Sequence, residues 1–359
     1  MRFASIVGAR PQFIKLAPVS RALRRRHEEI IIHTGQHYDY RMSARFFEEL
    51  SIPAPDYNLE VGSGSHGEQT GRMLAAIEQV LLKERLDWVL VFGDTNSTLA
   101  GSLAAAKLHL PVAHVEAGLR SFNREMPEEI NRIVTDHLST RHFCPTETAR
   151  VHLAREGITR GVEVVGDVMY DVLLQVRPEL EARIDGLLSM VGISSQRSGH
   201  VGSYVLVTIH RPANTDDPAA MRDIARALNK LEMPVVFPLH PRTRNLLQGY
   251  DVRWGEHIHL IEPVGYLDML ALQRSAYRVL TDSGGVQKEA FLLGVPCVTL
   301  REETEWTETL ELGWNTLVGH RWQAIVEAVY RAGPAPTLVA PFGRGDAAER
   351  IARSFGDKE

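Results

Sequence analysis

The 359-residue chain has only two cysteines, Cys144 and Cys297. They are far apart, and each lies near the end of an apolar run. Neither a disulfide framework nor a metal-ligand spacing can be built from them. Both are expected to be small buried apolar residues in a reducing setting. No run of ~18 apolar residues occurs, so no helical membrane span is expected. The opening MRFASIVGARPQ holds only a short apolar run, closed by Gly8-Ala9-Arg10-Pro11. No secretory leader is read there, and the expected location is the cytoplasm. Positive charge is not in excess either: 40 Lys and Arg face 45 Asp and Glu, a net charge of −5. No global basic field recruits nucleic acid, so any attraction for an anion must be local. Short sequence repeats are also lacking.

What is present is ordinary soluble composition, 44% hydrophobic and 24% charged, in a chain long enough for about two domains. Short apolar runs alternate with helical spacing, and they do so twice. The first series is Phe3–Val7, Ile30–His33, Trp88–Phe92, Pro111–Val115, Thr140–Cys144 and Val162–Val165. The second is Tyr204–Ile209, Val235–Leu239, Ile258–Ile261, Tyr277–Thr281 and Cys297–Leu300. A composition shift, GISSQRSGHVGS, lies before the second series. Runs buried on both faces and separated by helices read as parallel sheet. The expectation is α/β: two Rossmann-like doubly wound domains, 1–168 and 169–341, facing a cleft. The Pro/Gly/Ser-rich stretch Pro53–Gly67 reads as a mobile loop.

Polar groups gather at the C-terminal tips of these strands, where parallel α/β sheets bind ligands. Arg10, Asp94 and Glu116 are each the first charged residue after a different strand. Arg10 and Lys15 flank the start of the first helix. Cations there oppose the helix dipole, which implies an anion between them. Thr95 or Asn96 could cap the following helix, and so could Asp94 itself. Glu128 and Arg132, near the start of a helix opened by Pro127, have the spacing of a surface i,i+4 pair. In the second half His210 tips one strand and His240 and Arg242 another. Tyr277–Pro296 reads as strand, Ser283-Gly284-Gly285 turn, then helix. The free N–H groups at that helix start suit a phosphate, and Glu289 is placed to accept from sugar hydroxyls. Glycines kept only for tight packing fit that stretch alone equally well.

Taken in order, GARPQFIK, GDTNSTLAG, HVEAGLRS, PEEINR, HRPANTDDP, PLHPRTR and TDSGGVQKEAFLLGVPCVTLREETEW resemble the non-hydrolysing UDP-N-acetylglucosamine 2-epimerases over nearly the whole length. The resemblance implies a glycosyltransferase-B-type fold, with the last helix (about 342–359) packed back on the first domain. It also implies a homodimer, a UDP-sugar substrate, no metal and no other cofactor. Such an enzyme, serving cell-surface polysaccharide synthesis, inverts C2 of a UDP-linked N-acetylhexosamine through 2-acetamidoglucal and UDP. Carried over residue by residue, Arg10, Lys15, Arg132 and His210 would stabilise the pyrophosphate and leaving group. Asp94, Glu116 and Glu128 would be the acid/base carboxylates, undivided between the two faces. Lys15 and His210 thus count with the catalytic groups as well as with the binding ones. Gly284, Gly285 and Ser283 would hold phosphate, Glu289 the ribose, and Tyr266 and Pro263 the uracil. Gln69 would line the cleft, and His240 and Arg242 would be secondary.

Several positions depart from the family pattern. Tyr38, in Gln36-His37-Tyr38-Asp39, and Glu68, in Glu68-Gln69-Thr70, replace arginines of the substrate-activated members. Ala213 replaces a Glu in His210-Arg211-Pro212-Ala213-Asn214, and Trp306 replaces an Arg in Thr304-Glu305-Trp306. These changes allow a second substrate, UDP-2,3-diacetamido-2,3-dideoxy-glucuronate. A glycosyltransferase or a non-catalytic UDP-sugar sensor of the same fold are the readings from other classes.

Overall fold

The computed structural model describes residues 1–36, 46–190, 192–193, 202–239, 241–250, 252–335 and 339–356, with residues 241, 242 and 248 as backbone alone. The chain forms two compact units. Unit 1 is Met1–Gln175 with Val339–Glu359, and unit 2 is Val176–Leu338. The division falls inside one helix, Val168–Met190.

Each unit is built on one parallel sheet. In unit 1 the strands are β1 (Arg2–Val7), β2 (Glu28–His33), β3 (Tyr57–Asn58), β4 (Trp88–Phe92), β5 (Val112–Val115), β6 (Arg141–Cys144) and β7 (Val162–Val164). Their spatial order is β3-β2-β1-β4-β5-β6-β7. In unit 2 they are β8 (Val205–Thr208), β9 (Val235–Pro238), β10 (Ile258–Ile261), β11 (Arg278–Thr281), β12 (Cys297–Thr299) and β13 (Asn315–Leu317), ordered β10-β9-β8-β11-β12-β13. Every strand pair is parallel, with Ser5 opposite Leu90 and Leu280 opposite Val207. The α/β, doubly wound expectation therefore stands for both units. In each sheet the winding reverses once, between β1 and β4 and between β8 and β11. Such reversals open crevices at the carboxyl ends of the flanking strands.

The central strands of both sheets form because they carry mostly buried apolar residues. Phe3, Ile6, Val89, Val91, Val112 and Phe143 are buried in unit 1, as are Val205, Val207, Val236, Phe237 and Leu280 in unit 2. The first helix of unit 1 runs Arg10–Leu23, so Arg10 lies within its first turn. Pro11 sits in its first turn, where a missing N–H costs nothing. Its inward face is Phe13, Leu16, Val19 and Leu23, all fully buried. The helix Gly284–Leu293 is stopped by Gly294 in the left-handed region (φ 74°).

Three sequence expectations need correction. Pro53–Gly67 is not a free loop, because Asp56, Leu59 and Val61 donate backbone bonds to Ile31, His33 and Thr34, and β3 lies within it. Asp94 does not cap the helix Asn96–Lys107. Thr95 does, accepting from the Thr98 N–H. Glu128 and Arg132 do not pair, for Glu128 is exposed while Arg132 is turned inward and buried.

The last described segment completes unit 1. Phe355 packs edge-on against Phe3, Trp88 and Phe143, with ring centroids 4.9, 5.1 and 5.7 Å away. The Asp171 carboxylate accepts from the N–H groups of Ala347 and Ala348 at the start of the final helix, Ala347–Ser354.

Candidate active site

In unit 1, the side chain of Gln12 ties the tips of β1 and β4 together. Its Oε1 accepts from the N–H groups of Gly8 (2.8 Å) and Ala9 (3.0 Å), and its Nε2 donates to the Phe92 carbonyl (3.0 Å). One helical turn on, Lys15 reaches over the sheet edge and its Nζ pairs with the Glu116 carboxylate. The anion expected beside Lys15 is thus, in this structure, a side chain of the chain itself. Both partners are more than 90% buried. Glu116 leaves β5 in the left-handed region (φ 72°), an uncommon state for a residue with a side chain. Gly93 (φ 61°) lets the two approach, because a Cβ on it would lie 2.8 Å from the Lys15 Nζ and 3.3 Å from the Glu116 Oε2.

The second carboxylate is set in the same way by a different cation. Asp94, after β4, pairs with the Arg132 NH2, while the Arg132 NH1 lies 3.1 Å from Glu129. The Asp94 carbonyl accepts from Asn131 Nδ2 (2.9 Å). Glu129 is 1% exposed and collects four donors: the Ser121 N–H and hydroxyl, the Phe122 N–H and Arg132. So two carboxylates leave neighbouring strands, β4 and β5, each oriented by its own buried cation. Glu128, the third candidate, is exposed on the first turn of the helix Pro127–Leu138. Arg10 has its guanidinium 5.8 Å from the Phe46 ring centroid. Gln69 is buried, donating to the Gly62 carbonyl (2.7 Å) and accepting from Asn96 (2.9 Å).

In unit 2 the organiser is Asp282, which is fully buried at the tip of β11. Its carboxylate accepts from the N–H groups of His210 (3.1 Å) and Arg211 (3.0 Å) and from Asn214 Nδ2 (3.0 Å). The His210 ring, half exposed, puts Nδ1 3.3 Å from the same carboxylate. This one acid joins the β8 and β11 tips across the winding reversal. Ser283 is the N-cap of the helix Gly284–Leu293, yet its side chain makes no capping bond. Its hydroxyl and the first N–H groups are left to another acceptor. A Cβ on Gly285 would meet nothing within 4 Å, whereas one on Gly284 would strike the Glu305 carboxylate. Glu289 is buried and accepts from Gln273 Nε2 (2.8 Å). Tyr266 is buried at the start of the helix Tyr266–Ser275, and Pro263 is exposed. His37, Tyr38 and His240 lie outside the described residues, as does the side chain of Arg242.

Burial pushes the Cys297 thiol up to about 12 and raises the Cys144 thiol too, so neither is a ready nucleophile. Among the described residues no group of three or more His, Cys, Asp or Glu side chains could hold a metal ion, and no helix is long and apolar enough to cross a membrane.

Sequence reasoning passed over Glu129, Asp282 and Gln12. Of these, Asp282 carries a signal in the sequence. An acid that follows a buried strand and precedes Ser-Gly-Gly was the available signal.

One unit with ion-paired carboxylates near its winding reversal and another with a Ser-Gly-Gly helix start define a two-unit α/β protein of the doubly wound class. The family model described as UDP-N-acetylglucosamine 2-epimerase matches residues 21–356. The UDP-N-acetylglucosamine 2-epimerase homolog of Methanococcus maripaludis is 53% identical over 98% of each chain. The UDP-2,3-diacetamido-2,3-dideoxy-D-glucuronate 2-epimerase of Pseudomonas aeruginosa is 49% identical, again over 98% of each. The crystal structure of the Methanocaldococcus jannaschii UDP-GlcNAc 2-epimerase in complex with UDP-GlcNAc and UDP superposes with a TM-score of 0.89 at 44% identity, covering 99% of both chains. The chain belongs to the UDP-N-acetylglucosamine 2-epimerase family.

Proposed function

We propose that the protein interconverts UDP-N-acetylglucosamine and UDP-N-acetylmannosamine by inverting C2. The observation that carries this reading is the pair of carboxylates, Asp94 and Glu116, on adjacent strand tips, each held by its own cation. Inversion needs a proton removed from one face of C2 and returned to the other, so it needs two such groups.

The C2 proton is not acidified by a carbonyl, and removing it alone is too costly. Elimination avoids that cost. A carboxylate takes the C2 proton, the C–H electron pair forms the C1=C2 bond, and the C1–O pair departs with UDP. The products are 2-acetamidoglucal and UDP. On return, a phosphate oxygen of UDP attacks C1 while a protonated carboxyl delivers its proton to the opposite face of C2. Asp94, Glu116 and Glu128 are the groups available for these transfers. Lys15, Arg10, Arg132 and His210 offset the charge that develops on the leaving pyrophosphate. Ser283, Gly284 and Gly285 retain the phosphates through the helix N-terminus, Glu289 takes the ribose hydroxyls, and Tyr266 and Pro263 flank the uracil. Gln69 is assigned to the sugar side. The same reading carries a homodimer in the cytoplasm, feeding cell-surface polysaccharide synthesis.

Incubation with UDP-N-acetylglucosamine in deuterated water tests the proposal. Deuterium at C2 together with the manno epimer is the expected result, and neither appearing overturns it for that substrate. The 49% identity to the Pseudomonas aeruginosa enzyme favours a second substrate. UDP-2,3-diacetamido-2,3-dideoxy-glucuronate run in parallel distinguishes the two.

A further inference from the structure

We infer that His114, clamped by Asp136, is a positioning residue that fixes the tip of β4 and, through it, the Asp94 carboxylate. The inference rests on the epimerase reading for its kinetic consequences, and its geometry stands apart from that reading.

His114 occupies the middle of β5 and is fully buried. Its Nε2 lies 2.7 Å from the Gly93 carbonyl oxygen and its Nδ1 lies 2.7 Å from the Asp136 Oδ1. A carbonyl and a carboxylate oxygen only accept, so both ring nitrogens donate. Asp136 uses its other oxygen to accept from the Arg120 NH1 (2.7 Å) and from the Gly118 N–H (3.2 Å). Arg120 is in turn gripped by both oxygens of Glu156 (2.7 and 2.8 Å). The Asp136 backbone carbonyl faces the His142 Nε2 (2.8 Å). Burial works against a charge on Asp136, but His114 and Arg120 outweigh it and hold the carboxyl below the usual range.

The leverage follows from where these bonds land. The residue before Asp94, Gly93, is held through both of its backbone polar groups. The Gly93 N–H donates to the Val115 carbonyl (3.0 Å), and the Gly93 carbonyl takes the His114 proton donor. Gly118, two residues past Glu116, is held by the same Asp136. Asp136 therefore holds the turn after Glu116 directly and reaches the turn of Asp94 only through the His114 ring, whose own bond to Gly93 fixes that turn. None of His114, Asp136 and Arg120 is more than 2% exposed, so they act only through what they orient.

Two substitutions separate orientation from bulk stability. The amide nitrogen of a glutamine can stand where the imidazole Nε2 stands, and that of an asparagine where Nδ1 stands. His114→Gln keeps the donor to Gly93 and is expected to retain kcat within about 5-fold. His114→Asn keeps the donor to Asp136 and loses Gly93. Its kcat is expected to fall roughly 30- to 100-fold, the cost of a displaced catalytic group, with KM within about 3-fold. Adding His114→Asn to Asp94→Asn should cost little more, since residues that act as a unit are not additive. Equal losses in the two variants, a parallel change in KM, or full multiplicativity in the Asp94→Asn background would overturn the inference.

Two readouts need no turnover and keep the inference separate from the epimerase reading. Amide exchange at residues 93–95 should quicken more than about 10-fold in His114→Asn and stay near the native rate in His114→Gln; equal rates in the two overturn the inference. In the intact protein, ¹⁵N spectra should show protons on both His114 nitrogens, and a bare nitrogen overturns it even if no variant folds. Absence of turnover in the unsubstituted protein with both UDP-sugars sinks the epimerase reading and leaves these two readouts to decide the inference.

Discussion

Glu128 and Glu129 are neighbours in sequence and should behave as opposites on mutation. Glu129 is 1% exposed and receives four donors on two oxygens. Three of them, the Ser121 N–H and hydroxyl and Arg132, fall on Oε2; the Phe122 N–H falls on Oε1. Glutamine has the same shape but carries an NH₂ on one side. The better orientation puts that group against the Phe122 N–H, so this N–H and the amide NH₂ both go without an acceptor, at about 1–3 kcal/mol. Losing the charge opposite Arg132 adds about 1 kcal/mol. Glu129→Gln should therefore destabilise unit 1 by roughly 2–4 kcal/mol, a fall in Tm of about 5–15 °C for a unit of this size. Glu128 is exposed, so Glu128→Gln should move stability by no more than about 0.5 kcal/mol, yet as a proposed acid/base group it should lower kcat at least about 100-fold. Thermal unfolding followed by circular dichroism, with epimerisation rates on the same samples, makes the comparison. A Glu129→Gln protein melting within 2 °C of the parent, or a fully active Glu128→Gln protein, refutes the reasoning.

Gly93→Ala should cost about 1–2 kcal/mol in backbone strain. It should also force Lys15 from Glu116, lowering kcat more than Tm accounts for, as steady-state kinetics and melting will show. Gly285→Ala meets open space, so stability should hold or rise slightly. The new methyl would stand where phosphate is proposed, and UDP affinity measured by calorimetry should drop at least about 10-fold. Asp171 has its carboxyl pushed up to about 6 by burial, against the two backbone N–H bonds it accepts and with Asp167 and Asp346 adding to the rise. A raised carboxyl binds its proton more readily folded than unfolded, so stability is gained as pH falls from about 6 towards 4. Urea unfolding should show the parent gaining up to about 3 kcal/mol on Asp171→Asn between pH 7 and 4. A flat difference would refute the assignment.

The strands were legible because most are apolar on both faces, and a doubly wound sheet demands little else of its strands. β3 was not, since two residues inside a Pro/Gly/Ser-rich stretch carry no period; it exists because Ile31 and His33 on β2 offer free carbonyls. The strand-tip charges were legible as a set but their partners were not. Arg132 sits one turn from Glu128 in sequence, yet the helix turns it inward to Asp94, 38 residues away. Spacing along a helix reports which residues could meet, and packing decides which of them do. Asp282 and Asp136 were missed for a related reason. A buried acid is defined by the donors around it, and those come from distant parts of the chain.

The packing of Phe355 has a consequence for the order of events during synthesis. Unit 2 is one uninterrupted segment, Val176–Leu338, and all of it is synthesised before Val339–Glu359, which belong to unit 1. Unit 1 is begun before unit 2 and finished after it. Until Phe355 arrives, Phe3, Trp88 and Phe143 lack the ring that packs against them, and Asp171 has no helix to cap. The half of the molecule that carries Asp94 and Glu116 therefore waits, partly uncovered, through the translation of the other half. In that interval the exposed sheet face is open to misassociation. The helix Ala347–Ser354 and Phe355 close it, so unit 1 is completed only after unit 2 has been made, long after Asp94 and Glu116 themselves.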